Sequence, residues 1–298
     1  MESKYSLDWF KARALESLRP IGPGSWDYSD SLLLYPLSAE KEYENIQKEG
    51  DPYYDLVTEP ETRYISEIAD KIAAELPDNF YYIDLGPGTE HKERFIFDAL
   101  KRQKKNFTYF PIDISSYFLD SAKEFAERNN IKTVPVKSSF EECYELLPDD
   151  SIYRFVSLGA TFANYHTQEI FSLLIRIIGK NGSAFINAHI RERVDLEKVK
   201  GTYARQAIAL GMPKLNLIDL SQEDIENIEV NDKVEDWCTV KNPSKILLAK
   251  GVKRGDKLLV FQSLRYSLDK LLAEIQKTFQ EYSVFDTGKP FIAFLLKK

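Results

Sequence analysis

Tyr82-Ile83-Asp84-Leu85-Gly86-Pro87-Gly88-Thr89 is an apolar, β-prone run that closes on an acid and passes into two glycines, with a helical pattern over 93–103 directly after it. Strand, glycine loop and helix in that order form a nucleotide-cofactor loop, because glycine lets a ligand approach the backbone closely. A dinucleotide site would carry Gly-x-Gly-x-x-Gly, so that a pyrophosphate rests on the helix N-terminus. The third position here is His91, which disfavours NAD. The next β-prone run ends in Asp113, an acid placed to accept hydrogen bonds from a ribose diol. The adenosine of S-adenosylmethionine fits both features, with Asp84 near the cofactor's amino group. The same residues also permit a simpler reading, in which Gly86 and Gly88 form a tight turn and Asp113 caps the following helix.

Outward from this loop, residues 80–190 alternate short β-prone runs with amphipathic stretches, as in a parallel sheet with crossover helices. The runs are 81–85, 108–113, 133–136, 152–158 and 183–190, and helical spacing occupies 93–103, 117–129, 141–147 and 167–178. A helix over 268–279 and β-prone runs at 282–286 and 291–296 complete a predicted seven-stranded, doubly wound α/β sheet. Residues 1–75 and 191–266 break the alternation. The first segment is helical and aromatic-rich; the second holds a helix near 196–210 and β-prone runs near 234–240, 245–248 and 257–266. The expected organisation is a cofactor-binding domain, 76–190 with 267–298, and a substrate-recognition cap, 1–75 with 191–266. An insertion after the fifth strand lies at the carboxyl ends of the strands, where open α/β sheets bind ligands.

The 298 residues carry 47 acidic and 40 basic side chains, a net charge of −7 that argues against a protein built to neutralise phosphates. No nucleic-acid partner is expected. The longest uninterrupted apolar stretch, 291–296, is far short of the ~20 residues of a membrane span, and residues 1–10 lack the apolar core of a secretory signal. The expected location is cytoplasmic, without membrane association. Two distant cysteines, Cys143 and Cys238, form neither a disulfide framework nor a zinc pattern. His91, His166 and His189 include no i,i+4 pair, so each reads as a surface or packing residue and no metal site is expected.

Four segments together carry a family resemblance. Asp84-Leu85-Gly86-Pro87-Gly88-Thr89-Glu90-His91-Lys92, then Phe97-Asp98-Ala99-Leu100, then Tyr109-Phe110-Pro111-Ile112-Asp113-Ile114-Ser115, then Leu158-Gly159-Ala160-Thr161-Phe162-Ala163-Asn164 resemble motifs of the histidine-specific methyltransferase family. That family includes the ergothioneine-pathway histidine Nα-methyltransferase and the fungal dimethylallyltryptophan N-methyltransferase. The resemblance implies a class I methyltransferase fold, Rossmann-like and seven-stranded, with an added substrate-recognition cap. It implies S-adenosylmethionine as cofactor, held by Gly86, Gly88, Lys92 and Asp113. Asn164 matches the asparagine that holds the substrate's amino and carboxylate end. Tyr35, Tyr54 and Tyr203 resemble substrate tyrosines; as three of 17 tyrosines they also fit a packing role in the cap.

Two positions depart from the family pattern. Its Gly-Asp-Phe falls on Ser138-Ser139-Phe140, which keeps the aromatic for adenine and leaves the Ser139 hydroxyl where an acid is expected. The C-terminal Glu-x-Ser that recognises an imidazole aligns with Phe261-Gln262-Ser263, so Ser263 matches and Phe261 replaces the acid; a one-residue shift would bring Gln262 to that place. Loss of a buried polar partner puts histidine in doubt and makes an apolar or aromatic side chain at least as plausible, so the expected substrate is histidine-like or aromatic/apolar. The expected activity is methyl transfer to the α-amino group of an amino acid or derivative, positioned by Asn164, Tyr35 and Tyr54 without a covalent nucleophile. Aminocarboxypropyl transfer from the same cofactor and a non-catalytic binding role stand as alternatives.

Overall fold

The computed structural model describes residues 4–34, 39–89, 92–149 and 151–298, without the side chains of 208–210. Its strands in chain order are β1 (Arg19–Gly22), β2 (Ser25–Asp27), β3 (Asn79–Leu85), β4 (Asn106–Asp113), β5 (Val136–Lys137), β6 (Tyr153–Leu158), β7 (Gly182–His189), β8 (Ile225–Val230), β9 (Glu235–Val240), β10 (Lys257–Gln262), β11 (Glu281–Asp286) and β12 (Phe291–Lys297). They form two sheets in two compact units, one of residues 54–194 with 265–298, the other of 4–53 with 195–264.

The larger unit holds a seven-stranded sheet in the order β11-β12-β7-β6-β3-β4-β5. Strands β3 to β7 run parallel, and β12 enters antiparallel between β7 and β11. This is the seven-stranded class I methyltransferase sheet that the sequence led us to expect, with its order now read from the pairing. Strand alternation divides the core. Ile83, Leu85, Val156, Leu158 and Ile186 pack with Leu174, Ile177, Leu271 and Ile275 from the helices Thr167–Ile178 and Leu268–Thr278. On the other face Tyr82 meets Phe97 of helix Glu93–Arg102 edge-on, 5.2 Å between ring centres, and Tyr109 does the same at 5.0 Å.

Two local expectations change in this unit. The stretch 141–147 forms a single 3₁₀ turn, Cys143–Glu145. The run 133–136 pairs with β4 only through a Thr133–Tyr109 bridge before the short β5. Helix Glu59–Glu75, read from sequence with the N-terminal segment, belongs to the larger unit, so the unit boundary lies at residue 53 and not at 75.

The smaller unit holds the sheet β1-β2-β10-β9-β8, in which β10 is parallel to β2 and antiparallel to β9. The β1–β2 hairpin lies in a stretch read as helical. The run 245–248, expected as strand, is instead the helix Lys245–Lys250: the Ser244 hydroxyl accepts from Leu247 N at 3.2 Å, and Gly251, at φ +93°, closes the other end. Serine and glycine at these positions bracket a helix more strongly than the β-branched content of the run favours a strand. No helix among the described residues is long and apolar enough to cross a membrane.

Candidate functional site

The loop after β3 is held by Gly86 N, which donates to Ile112 O at 3.0 Å. Gly86 and Gly88 have φ of +74° and +62°. A Cβ on Gly86 would meet Phe140 Cζ and Thr161 Oγ1 at 3.4 Å, ordinary contact, so backbone conformation and not space demands glycine there. Phe140 and Thr161 therefore flank the loop. Asp84 is buried, and its Oδ2 accepts from the Tyr109 hydroxyl at 2.7 Å. Burial and this carboxylate push the Tyr109 phenol well above its usual range, so it stays a donor.

Asp113 ends β4 half-buried, with Oδ1 accepting from Ser115 N at 2.8 Å, and Ser115 in turn caps helix Ser116–Arg128. The capping role considered from sequence thus belongs to Ser115, with Asp113 fixing the turn before it. Ser139 and Phe140 are buried just beyond β5.

A buried carboxylate that the sequence reading missed organises the neighbouring loops. Glu61, 1% exposed, accepts from Lys92 Nζ at 2.6 Å, Asn187 Nδ2 at 2.8 Å and Ala160 N at 3.1 Å. It thereby joins helix Glu59–Glu75, the residue before helix Glu93–Arg102, strand β7 and the turn Ala160–Asn164. Lys92, expected in the cofactor loop, has its ammonium on Glu61. Asn164 is half-buried at the end of its 3₁₀ turn, and Tyr54 is half-buried at the start of the turn Tyr54–Thr58. The missed signal was in phase: Glu61 shares the helical stripe of Tyr64, Ile65, Ile68 and Ile72, where a lone acid requires partners.

In the smaller unit Tyr203, Phe261 and Ser263 come together. The Tyr203 hydroxyl and Ser263 Oγ lie 2.9 Å apart, and the Tyr203 ring stacks on Phe261 at 5.9 Å and 17°. Tyr53 meets Tyr203 edge-on. Phe261 lines a pocket with Tyr203; Gln262 does not, since alternation turns it to the other face of β10. Tyr35 lies outside the described residues, as does His91. His189 stacks on Phe291 with ring centres 4.0 Å apart, and burial with the nearby Arg265 charge holds its imidazole well below the usual range, neutral and packed. Both cysteines are buried with thiols pushed up to about 12, which leaves neither as a ready nucleophile.

A sequence model of the family described as histidine-specific methyltransferase, SAM-dependent, matches residues 29–206, more than half of the chain. The chain is similar to a 4-dimethylallyltryptophan N-methyltransferase of Epichloe festucae var. lolii, 31% identical over 74 residues, which are 25% of this chain. That match spans 22% of the fungal protein's length. Among solved structures, the PH0226 protein from Pyrococcus horikoshii OT3 shares the fold at a TM-score of 0.50 and 12% identity, covering 86% of this chain and 98% of that one. An S-adenosylmethionine-dependent methyltransferase from Clostridium acetobutylicum is similar at a TM-score of 0.48 and 11% identity, over 86% and 97% of the two chains.

Proposed function

The chain belongs to the family of histidine-specific, S-adenosylmethionine-dependent methyltransferases, and from that premise we propose that it methylates the α-amino group of an amino acid or a close derivative. The observation that carries this reading is the glycine loop of β3, in left-handed conformation beside Phe140, with Asp113 at the end of the adjacent parallel strand. These residues fit S-adenosylmethionine: glycines without side chains for close backbone approach, an acid for the ribose, and an aromatic with the Ser139 hydroxyl for adenine. When bound, the cofactor supplies an electrophilic methyl carbon on a sulfonium.

The protein's part is positioning. Asn164 and Tyr54 carry the amide and phenol groups that accept from or donate to the substrate's amino and carboxylate end, and Tyr203 and Ser263 of the smaller unit are assigned to the substrate on the resemblance. Tyr35 is assigned with Tyr54 on the resemblance. Lys92 acts through Glu61, fixing the loop that precedes its helix and the turn that ends in Asn164. The attacking amine must be neutral, and its proton leaves to solvent or a phenol, since the histidine packed in this unit is stacked away as a neutral ring.

The test is incubation of the protein and S-adenosylmethionine with a panel of amino acids, with chromatographic identification of the nucleoside released. S-adenosylhomocysteine together with an N-methylated amino acid supports the reading. Methylthioadenosine would mean aminocarboxypropyl transfer, and calorimetric cofactor binding without turnover would mean a binding protein; either outcome overturns it.

A further inference from the structure

The turn Ala160–Asn164 follows β6 in the larger unit and is held at both of its ends. The parallel register pairs Asp84 of β3 with Ser157 of β6, so Gly86 and Gly159 lie level and the turn begins beside the glycine loop. Thr161 Oγ1 stands 3.4 Å from the point a Cβ on Gly86 would occupy, which sets the turn against that loop. At the start of the turn Ala160 N donates to Glu61 Oε1. Just past its end, the Tyr266 hydroxyl donates to Tyr165 O.

Tyr266 touches the turn a second time. Its ring lies 5.1 Å from that of Phe162, which sits fully buried within the turn and also stacks on Phe171 at 6.1 Å and 21°. The Tyr165 ring in turn lies 6.4 Å from Phe140, the aromatic that flanks Gly86. Burial, with the Glu169 carboxylate nearby, pushes the Tyr266 phenol above its usual range, so the hydroxyl stays a donor.

The main chain of Tyr266 is itself fixed. Its carbonyl accepts from Arg191 N at 2.9 Å, and Ile190 and Tyr266 form a parallel bridge. These two segments are where the chain leaves the larger unit, after Val194, and re-enters it at Arg265. Arg193 anchors the first of them, donating to both Asp286 oxygens at 2.6 and 2.7 Å. A side chain on a fixed backbone that meets the turn by one hydroxyl and one ring defines where the turn can lie.

We propose that Tyr266 is a positioning residue for methyl transfer, acting through Tyr165 and Phe162 to set where the turn presents Asn164. The inference rests on the reading of Asn164 as the residue that orients the attacking amine. Alignment of that amine with the methyl group is what the protein contributes, and a misplacement of about 1 Å can cost on the order of a hundredfold in rate. Gly86, Gly88 and Asp113 belong to β3, β4 and the loop between β3 and the next helix, so cofactor affinity does not pass through Tyr266.

Tyr266→Phe keeps the ring and deletes the hydroxyl. Tyr64→Phe is its control, because the Tyr64 hydroxyl also donates to a main-chain carbonyl of the same unit, that of Phe285, away from the turn. Rates are measured with histidine, tryptophan and leucine and read on the one that wild type methylates fastest. Tyr266→Phe should lower kcat about tenfold while the Kd for S-adenosylhomocysteine, by calorimetry, stays within about twofold of wild type; Tyr64→Phe should change neither. Hydrogen exchange over residues 160–166, read by mass spectrometry, should be about fivefold faster in Tyr266→Phe and unchanged in Tyr64→Phe. Phe162→Leu, which loses the ring contact and keeps the hydroxyl bond, should show the same pattern and replaces Tyr266→Phe if that variant does not fold.

A wild-type kcat in Tyr266→Phe, or equal losses in Tyr266→Phe and Tyr64→Phe, overturns the positioning role. A loss of S-adenosylhomocysteine affinity as large as the loss of kcat overturns it too, by assigning Tyr266 to the cofactor side. If wild type methylates none of the three amino acids, the substrate reading has failed and the exchange measurement decides the hold on the turn by itself. Faster exchange confined to Tyr266→Phe then sustains that hold, and unchanged exchange overturns it.

Discussion

Glu61 and Asp236 are carboxylates buried on apolar stripes, one in each unit, yet the first meets three donors and Oδ1 of the second meets none among the described residues. The difference separates scaffold from recognition. A buried acid whose acceptor sites are filled by its own chain holds loops in place; one whose acceptor is left empty in a pocket is available to a ligand. Asp84, closed off by Tyr109, sits nearer the first kind, and Gln206 nearer the second.

The largest expected effect lies on the paired side. Glu61→Ala removes one acceptor shared by the Lys92 ammonium, the Asn187 amide and Ala160 N, and breaking such a buried pair costs about 3–5 kcal/mol. Urea unfolding should show that loss, and a variant as stable as wild type would remove Glu61 from the scaffold role. Asp113→Ala should weaken cofactor binding about tenfold or more, because hydrogen bonds to a charged group are worth about 1.5–3 kcal/mol. Unchanged affinity in a folded variant, read by titration calorimetry, would leave Asp113 only its turn with Ser115.

Asp236 should behave in the opposite sense to Glu61. Its folded-state carboxyl is raised, so above the ordinary aspartate pKa the folded protein keeps a proton that the unfolded chain has released. Stability of the unliganded protein is then eroded as pH rises from that ordinary value through the raised one. Asp236→Leu should stabilise the unliganded protein by about 1–2 kcal/mol at pH 8, with the gain shrinking toward pH 4. Destabilisation at pH 8 would contradict the idea that this acid is unpartnered. The smallest effect concerns specificity: Phe261→Glu returns an acid to β10 and should raise histidine methylation relative to the best native substrate, compared as kcat/KM, and an unchanged ratio would remove Phe261 from side-chain recognition.

The sequence made the larger unit readable because its strands are continuous apolar runs separated by glycine and polar turns, and the loop at Gly86 announces itself by composition. The smaller unit was harder. Lys245–Lys250 is rich enough in Ile and Leu to pass for a strand until Ser244 and Gly251 are read as its caps. Glu61 and Asp236 were legible in principle, since each stands in phase with buried neighbours: Glu61 with Tyr64, Ile65 and Ile68, and Asp236 with Cys238 and Val240. What periodicity does not contain is pairing. That Asp236 stands opposite Phe261 depends on strand register, set by a hairpin-distant pairing and a bulge between Leu259 and Phe261.

The measurement that bears most directly on the account is mass spectrometry of the products formed from S-adenosylmethionine and the amino-acid panel. The account predicts S-adenosylhomocysteine and, in equal amount for each methyl group transferred, an amino acid heavier by that group on its α-nitrogen. Methylthioadenosine as the nucleoside product, or a cofactor-bound protein that turns over no amino acid, would contradict it.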